Sequence, residues 1–221
     1  MASGMLTKQA EFQTAKFLNT VNDAASGGVI VSVPAGAPSP QVSQTIPGDR
    51  ICLDDATALA LSDTVGTGTL FGGLYMYVGT LSSAAASPAR GTAAFFRAAD
   101  LPPAASGLYQ VTSDAQPTTA IPTLFAGVFI NAITKGNFGW IQIGGVASCL
   151  FDSAITAAAV GNPVSVKISA AVASTFDVGV NVVTATIPFS YAGAFAGTAI
   201  VLPVLSTITA VLLQRNPFSR I

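Results

Sequence analysis

The chain offers few residues with which to do chemistry. It contains no histidine, the side chain that most often serves as general base or metal ligand near neutral pH. Asp54-Asp55 is the only adjacent carboxylate pair. On an extended strand the two would point to opposite faces, and in a turn they would stand in water, so neither placement makes an acid/base couple or a metal site. Cys149 has no histidine to activate it, and no G-x-S-x-G elbow, Walker loop or C-x-x-C is present. Gly66, Gly68 and Gly72 read G-x-G-x-x-x-G, one position off the dinucleotide fingerprint and with no helix pattern behind them, so they are expected to be turn glycines. Trp140 with Tyr75 and Tyr77 is all that suggests a carbohydrate-binding face. By elimination the chain is expected not to be an enzyme, with no catalytic residue, no cofactor and no metal.

Composition narrows the classes further. Of 221 residues, 51% are apolar and only 9% are charged, against roughly a quarter charged in an ordinary soluble domain. A chain of this length buries a substantial core. A surface so poor in charge is best covered by other subunits, because free monomers rarely expose large apolar patches. The net charge is −1 and the nine basic residues are scattered, so no basic track for nucleic acid exists. Cys52 and Cys149 both lie in apolar, strand-like surroundings and are expected to behave as small buried hydrophobes, with a disulfide between them left open. The first residues, MASGMLTKQAEFQTAKF, carry Lys8, Glu11 and Lys16 and no apolar core, which is not the pattern of a secretory signal.

The elements follow from hydrophobic period and turn residues. Leu6, Ala10, Phe17 and Val21 approach helical spacing within Thr7 to Asn22. That segment is either a helix packed on its own domain or an arm for a neighbouring subunit, with Phe17 as an interface candidate. From Gly28 the pattern turns to β, with strands expected at 29–33, from Ile51, at 74–78 and at 109–111. Residues 81–107 are rich in Ala, Ser and Pro and read as a long excursion from the β body. Within it Phe95 and Phe96, flanked by Arg90 and Arg97, suit a subunit interface, or else pin the loop to its own core.

Two apolar runs, 128–133 and 138–143, flank Thr134-Lys-Gly-Asn137, which is hairpin grammar. Gly144-Gly145 permits a sharp bend, 146–150 continues the sheet, and Gly161-Asn-Pro163 turns into the alternating run Val164, Val166, Ile168. Residues 178–214 hold no charge, but Pro188, Gly193, Gly197 and Pro203 break any spanning helix. Strands are expected instead at 178–188, 199–202 and 208–213. The fold class is mainly β: a compact small barrel or sandwich of short strands with long loops and a short N-terminal helix or arm. The expected division is 1–27 as helix or arm, 28–123 as an N-terminal β region, and 124–221 as a C-terminal β domain.

Lys135-Gly136-x-x-Gly139-Trp140-x-Gln142-x-x-Gly145-x-Ala147, followed by Gly161-Asn-Pro163-Val164, resembles a pattern of tailed-bacteriophage head proteins. In it a K-G-x-x-G-W-x-Q-x-x-G-x-A hairpin precedes a G-[DN]-P-V turn, and Val178-Gly-Val180 and Val211-Leu-Leu213 match its later strands. The chain is similar over 127–215 to capsid decoration (cement) proteins or related head components, with Asn162 where aspartate is common. The resemblance implies a compact β domain that binds the outside of the capsid shell and reinforces it. It also implies the major capsid protein as partner, a homotrimer, and a place on the virion exterior, with no nucleic-acid or membrane partner. A head fibre, a tail part, or a membrane β-barrel suggested by the uncharged C-terminal region are the alternatives.

Overall fold

The computed structural model describes residues 47–65, 70–81, 84, 87–97, 109–114, 123–152, 159–161, 163–167, 175–178, 195–199 and 208–213. The candidate helix at 7–22 with Phe17, and the strand at 29–33, lie outside them. Ten strands form one sheet: β1 (Arg50–Leu53), β2 (Gly73–Thr80), β3 (Ala93–Arg97), β4 (Gln110–Thr112), β5 (Thr123–Phe129), β6 (Phe138–Leu150), β7 (Pro163–Lys167), β8 (Thr175–Val178), β9 (Phe195–Ala199) and β10 (Ile208–Leu213). The fold is mainly β, with a closed five-stranded barrel and further strands added to it.

The barrel runs β2-β4-β3-β5-β6 and closes where β6 pairs with β2 from Phe138↔Gly79 to Gly145↔Gly73. Only β2–β4 is parallel; the other four pairings are antiparallel. Its interior holds Met76, Val78, Ala94, Phe96, Ala126, Phe129, Ile141 and Ile143. Alternation then sends Tyr75, Tyr77 and Trp140 outward, where they meet Ile51, Leu53, Ala58 and Leu70. On the β3–β5 side, Ala93, Phe95, Phe125 and Val128 also point out of the barrel and into a third cluster. The barrel wall is therefore buried on both faces, which explains the near-continuous apolar text of β2 and β6.

The third cluster is the core of a second circuit. Past Gly145, β6 leaves the barrel and pairs with β10, from Leu213↔Gly145 to Ile208↔Leu150. β10 pairs with β9, β9 with β7 and β7 with β8. A parallel bridge between Phe151 and Phe176, with the Asp152 amide donating to the Phe176 carbonyl at 2.9 Å, returns β8 to the end of β6. Ala147, Cys149, Val164, Val166, Phe176, Val211 and Leu213 fill this circuit. One strand is thus shared by both, and the barrel takes β2, β3 and β4 from before residue 123. The pairing crosses the boundary expected at 123/124, so the two β regions build one sheet.

Several elements differ from the sequence expectation. Residues 81–107 are not one long excursion, because Ala93–Arg97 is β3 and sits between β4 and β5. The first hairpin arm is Thr123–Phe129 rather than 128–133, and Ile130 and Ile133 are buried in the connection that follows. β8 (Thr175–Val178) and β9 (Phe195–Ala199) reach only the first residue of the strands expected at 178–188 and 199–202, whose other residues lie outside the described ones, whereas β10 occupies Ile208–Leu213 as expected.

A helix, α1 (Asp55–Val65), stands where no helix was expected. Its N-cap is Asp54, whose Oδ1 accepts from the Thr57 amide at 2.7 Å. That backbone bond, joined by one from the Thr57 side chain, holds the Asp54 carboxyl below its ordinary value. The cap is therefore in force above the usual carboxylate range and fades as pH falls through the lowered value. Asp55 Oδ1 accepts from the Gly72 amide at 2.8 Å and ties the helix to the start of β2. The adjacent carboxylates lie neither on opposite faces of a strand nor idle in a turn; they fasten a helix.

The bend in β6 makes a testable demand on backbone conformation. Gly145 has φ +87°, and a Cβ there would lie 2.6 Å from the Gly72 carbonyl oxygen. Gly161 has φ +88° but open space around it. Gly161→Ala is expected to cost about 1 kcal/mol from the left-handed conformation alone. Gly145→Ala should cost clearly more, because the backbone of β2 must also move. Urea unfolding midpoints of the two variants decide this, and equal losses would show that the Gly72 contact plays no part.

Candidate functional site

The residues singled out in the sequence converge on the joint between the barrel and the second circuit. Register along β2–β6 shifts between Leu74 and Tyr75, which pair with Gly144 and Gln142 and leave Ile143 as the extra residue. Such a bulge bends a strand and re-aims the side chains beyond it. Gln142 is 2% exposed. Its Nε2 donates to the Val146 carbonyl at 2.6 Å and to the Gly144 carbonyl at 3.3 Å. One side chain thus binds carbonyls on the far side of the bend in its own strand. Gly73, opposite, leaves room for this, since a Cβ there would lie 2.3 Å from the Gly144 oxygen.

Trp140 packs beside the joint. It is fully buried, its ring 5.3 Å from that of Tyr77, which in turn stacks at 6.2 Å on Phe138. Tyr75 is equally buried, and its hydroxyl donates to the Phe71 carbonyl. Burial foremost, and then the nearby Asp55 and Cys52, push its pKa far above the ordinary phenol value. These aromatic rings lie in the core with α1, so they give no open platform for a sugar. Gly139, also buried, pairs with Val78 in the barrel wall.

The hairpin tip is fastened to its surroundings. Gly136 supplies φ +84°. Thr80 Oγ1 donates to the Thr134 and Asn137 carbonyls at 3.1 and 2.9 Å, and the Lys135 ammonium donates to the Ala84 carbonyl at 3.0 Å. Lys135 is exposed and is used here as a strut. Gly161 lies in the exposed turn ahead of β7, and Pro163 opens that strand opposite Thr198. These eight residues do not gather into one pocket: Gly139, Trp140, Gln142 and Gly145 form the joint, Lys135 and Gly136 the tip, Gly161 and Pro163 a separate turn.

The interface candidates separate as well. Phe95 and Phe96 are 2% and 5% exposed, one facing the second circuit and the other the barrel interior. They pin β3 into the core, the second of the two readings open to the sequence, and are not a contact surface. Alternation along β3 is the reason: adjacent residues of a strand face opposite ways, and here both faces are buried. Arg97 ends β3 opposite Thr123. Arg90 is half-buried in the turn before Gly91, and that burial lowers its pKa.

Among the described residues no group of three or more Cys, Asp or Glu lies together to hold a metal ion, and no helix is long and apolar enough to cross a membrane. Both cysteines are free thiols. Cys149 is buried, as expected, and burial pushes its pKa well up. Cys52 is exposed, against expectation, because β1 alternates Ile51 and Leu53 inward and Cys52 outward. Sequence reasoning missed the outward face of β10, where Ile208 and Leu212 are exposed. The alternation of Ile208-Thr-Ala-Val-Leu-Leu213 signals a strand, but both of its faces carry apolar groups. No protein-family model, curated protein or solved structure matches the chain.

Two measurements follow. Gln142→Leu keeps the size of the side chain and removes the amide, so the bend carbonyls lose their donor at a cost of about 1–3 kcal/mol. Chemical denaturation reads this loss, and a variant as stable as the natural chain would show that the amide does not hold the bend. In thiol titration of the folded chain, Cys52 should react promptly and Cys149 only on unfolding. Rapid modification of both would contradict the burial of Cys149.

Proposed function

We propose that this chain is a structural virion protein, a decoration (cement) protein that binds the outside of a tailed-bacteriophage capsid shell and stabilises it. The carrying observation is the run from Lys135 to Ala147, followed by Gly161-Asn-Pro163-Val164, which resembles the head-protein pattern. Its residues have demanding structural roles: Gly136 and Gly145 at positive φ, Trp140 and Gln142 buried around the bend. A motif of this kind specifies a scaffold, and a scaffold that acts by contact needs no catalytic group. The partners under this reading are the major capsid protein and further copies of the chain, arranged as a homotrimer on the virion exterior. Contacts that are individually weak add up when many subunits are held on one shell.

The filled barrel supports this reading over a membrane pore. Its interior carries Val78, Phe96, Phe129 and Ile141 packed together, whereas membrane barrels place polar side chains or water inside and an apolar band outside.

Heads purified with and without the chain test the proposal. The chain should co-purify with intact heads at a copy number comparable to the major capsid protein, and heads lacking it should lose their contents at a lower temperature. Labelled chain confined to one vertex would replace the decoration reading with a head-fibre or tail component. Chain found free in the host cytosol and absent from virions would overturn both.

A further inference from the structure

The helix α1 is fastened to the barrel by little besides two carboxylates. Its 11 residues are too few for a helix to stand alone in water, so its order depends on docking. Of its described side chains only Ala58 is buried; Thr57 is half-buried, and Asp55, Ala56, Leu59 and Ala60 are exposed. Ala58 joins Leu70, Tyr75, Tyr77 and Trp140 in the cluster on the outer barrel wall. The remaining hold is polar: the Asp54 cap on the Thr57 amide and the Asp55 link to the Gly72 amide. Gly72 lets the chain come this close, since a Cβ there would lie 2.5 Å from Asp55 Oδ1 and 2.8 Å from the Asp55 amide nitrogen. No strand pairing runs through α1, because the barrel closes through β2, β4, β3, β5 and β6.

We infer that α1 is an acid-released lid: when Asp54 and Asp55 take up protons it comes off the wall with Leu70 and uncovers Tyr75 and Trp140, while the barrel stays closed. A neutral carboxyl is a weaker acceptor than a carboxylate, so both bonds weaken together. An element with few buried contacts can open ahead of global unfolding. Asp54 fixes the sign. The Thr57 bonds hold its carboxyl below the ordinary value, so its hold is complete above the ordinary carboxylate range and is lost as pH falls through the lowered value. The surrounding charges are few. α1 has no Lys or Arg; Asp63, in its last turn, works weakly the other way, because its charge opposes the helix dipole. On β2, Tyr75 feels the charge of Asp55, but burial keeps the phenol protonated throughout. On β1, Asp49 stands at the far end opposite Tyr77, and Arg50 and Cys52 alternate with Ile51 and Leu53 onto the other face. The inference does not rest on the decoration reading.

Trp140 is the only tryptophan of the chain, so its fluorescence reads the lid directly. As pH falls through and below the ordinary carboxylate range, acrylamide quenching of Trp140 should rise severalfold while the strand signal in circular dichroism persists. Quenching that rises only together with loss of that signal overturns the inference. Asp54→Asn/Asp55→Asn keeps an acceptor oxygen at both positions and does not titrate, so in this variant the early rise should vanish. A rise like that of the natural chain would place the effect on other carboxylates and overturn the lid. Gly72→Ala pushes the helix away with both carboxylates intact, and should give high quenching already at neutral pH. Hydrogen exchange supplies a readout that needs no acid: Asp54→Ala/Asp55→Ala should speed exchange of the α1 amides by about fivefold or more, the size of a lost N-cap, with β5 and β6 as protected as in the natural chain. Unchanged exchange in α1, or equal acceleration in all three elements, overturns the inference.

Discussion

The bend in β6 is the constraint on which the rest of the structure depends. A straight strand of this length would turn one set of side chains toward one core. Here the extra residue at Ile143 and the positive φ of Gly145 turn the strand, so that Ile141 and Ile143 fill the barrel while Ala147 and Cys149 fill the second circuit. The Gln142 amide holds the turn by binding carbonyls beyond it. Backbone groups displaced from a ladder at a bulge must find other partners or lose free energy, and the two N–H donors of this one side chain serve two carbonyls, those of Gly144 and Val146.

From that bend the low charge of the chain takes on a physical meaning. The barrel wall is buried inside and on two outer sides, by α1 with β1 and by the second circuit. Strands buried on both faces have no solvent side on which to carry Lys or Glu. The composition that first suggests a partner-covered surface is therefore explained in part by internal layering. What layering leaves uncovered is the outer face of β10, where Ile208 and Leu212 are exposed on a strand with no charge of its own.

The residues that first suggest chemistry have structural work in this fold. Asp54 caps α1 and Asp55 anchors it to Gly72. Trp140, Tyr75 and Tyr77, the residues that most suggest ligand stacking, are core residues. Buried glycines and aromatics at fixed spacing are what a scaffold needs in order to close, and they serve that purpose here.

The sequence by itself determined the β class, the strands around 74–78 and at 208–213, the hairpin with its Thr134–Asn137 tip, the bend at Gly144-Gly145 and the alternation of Val164 with Val166. Each rests on a local rule: a period of two, or a residue able to take positive φ. Tertiary structure decided the rest. Which strand neighbours which is a matter of contacts distant in the chain, so the closure of β6 on β2 could not be read from either strand alone. α1 was hidden because its Ala-rich text has no broad apolar stripe, although Asp54 three residues ahead of Thr57 was a cap signal that could have been used. Phe95 and Phe96 were ambiguous because a strand buried on both faces looks like an apolar loop until both covering layers are in place. The burial of Cys149 and the exposure of Cys52 follow the same logic: both sit in strands, and only the layers packed against each strand decide which face is dry.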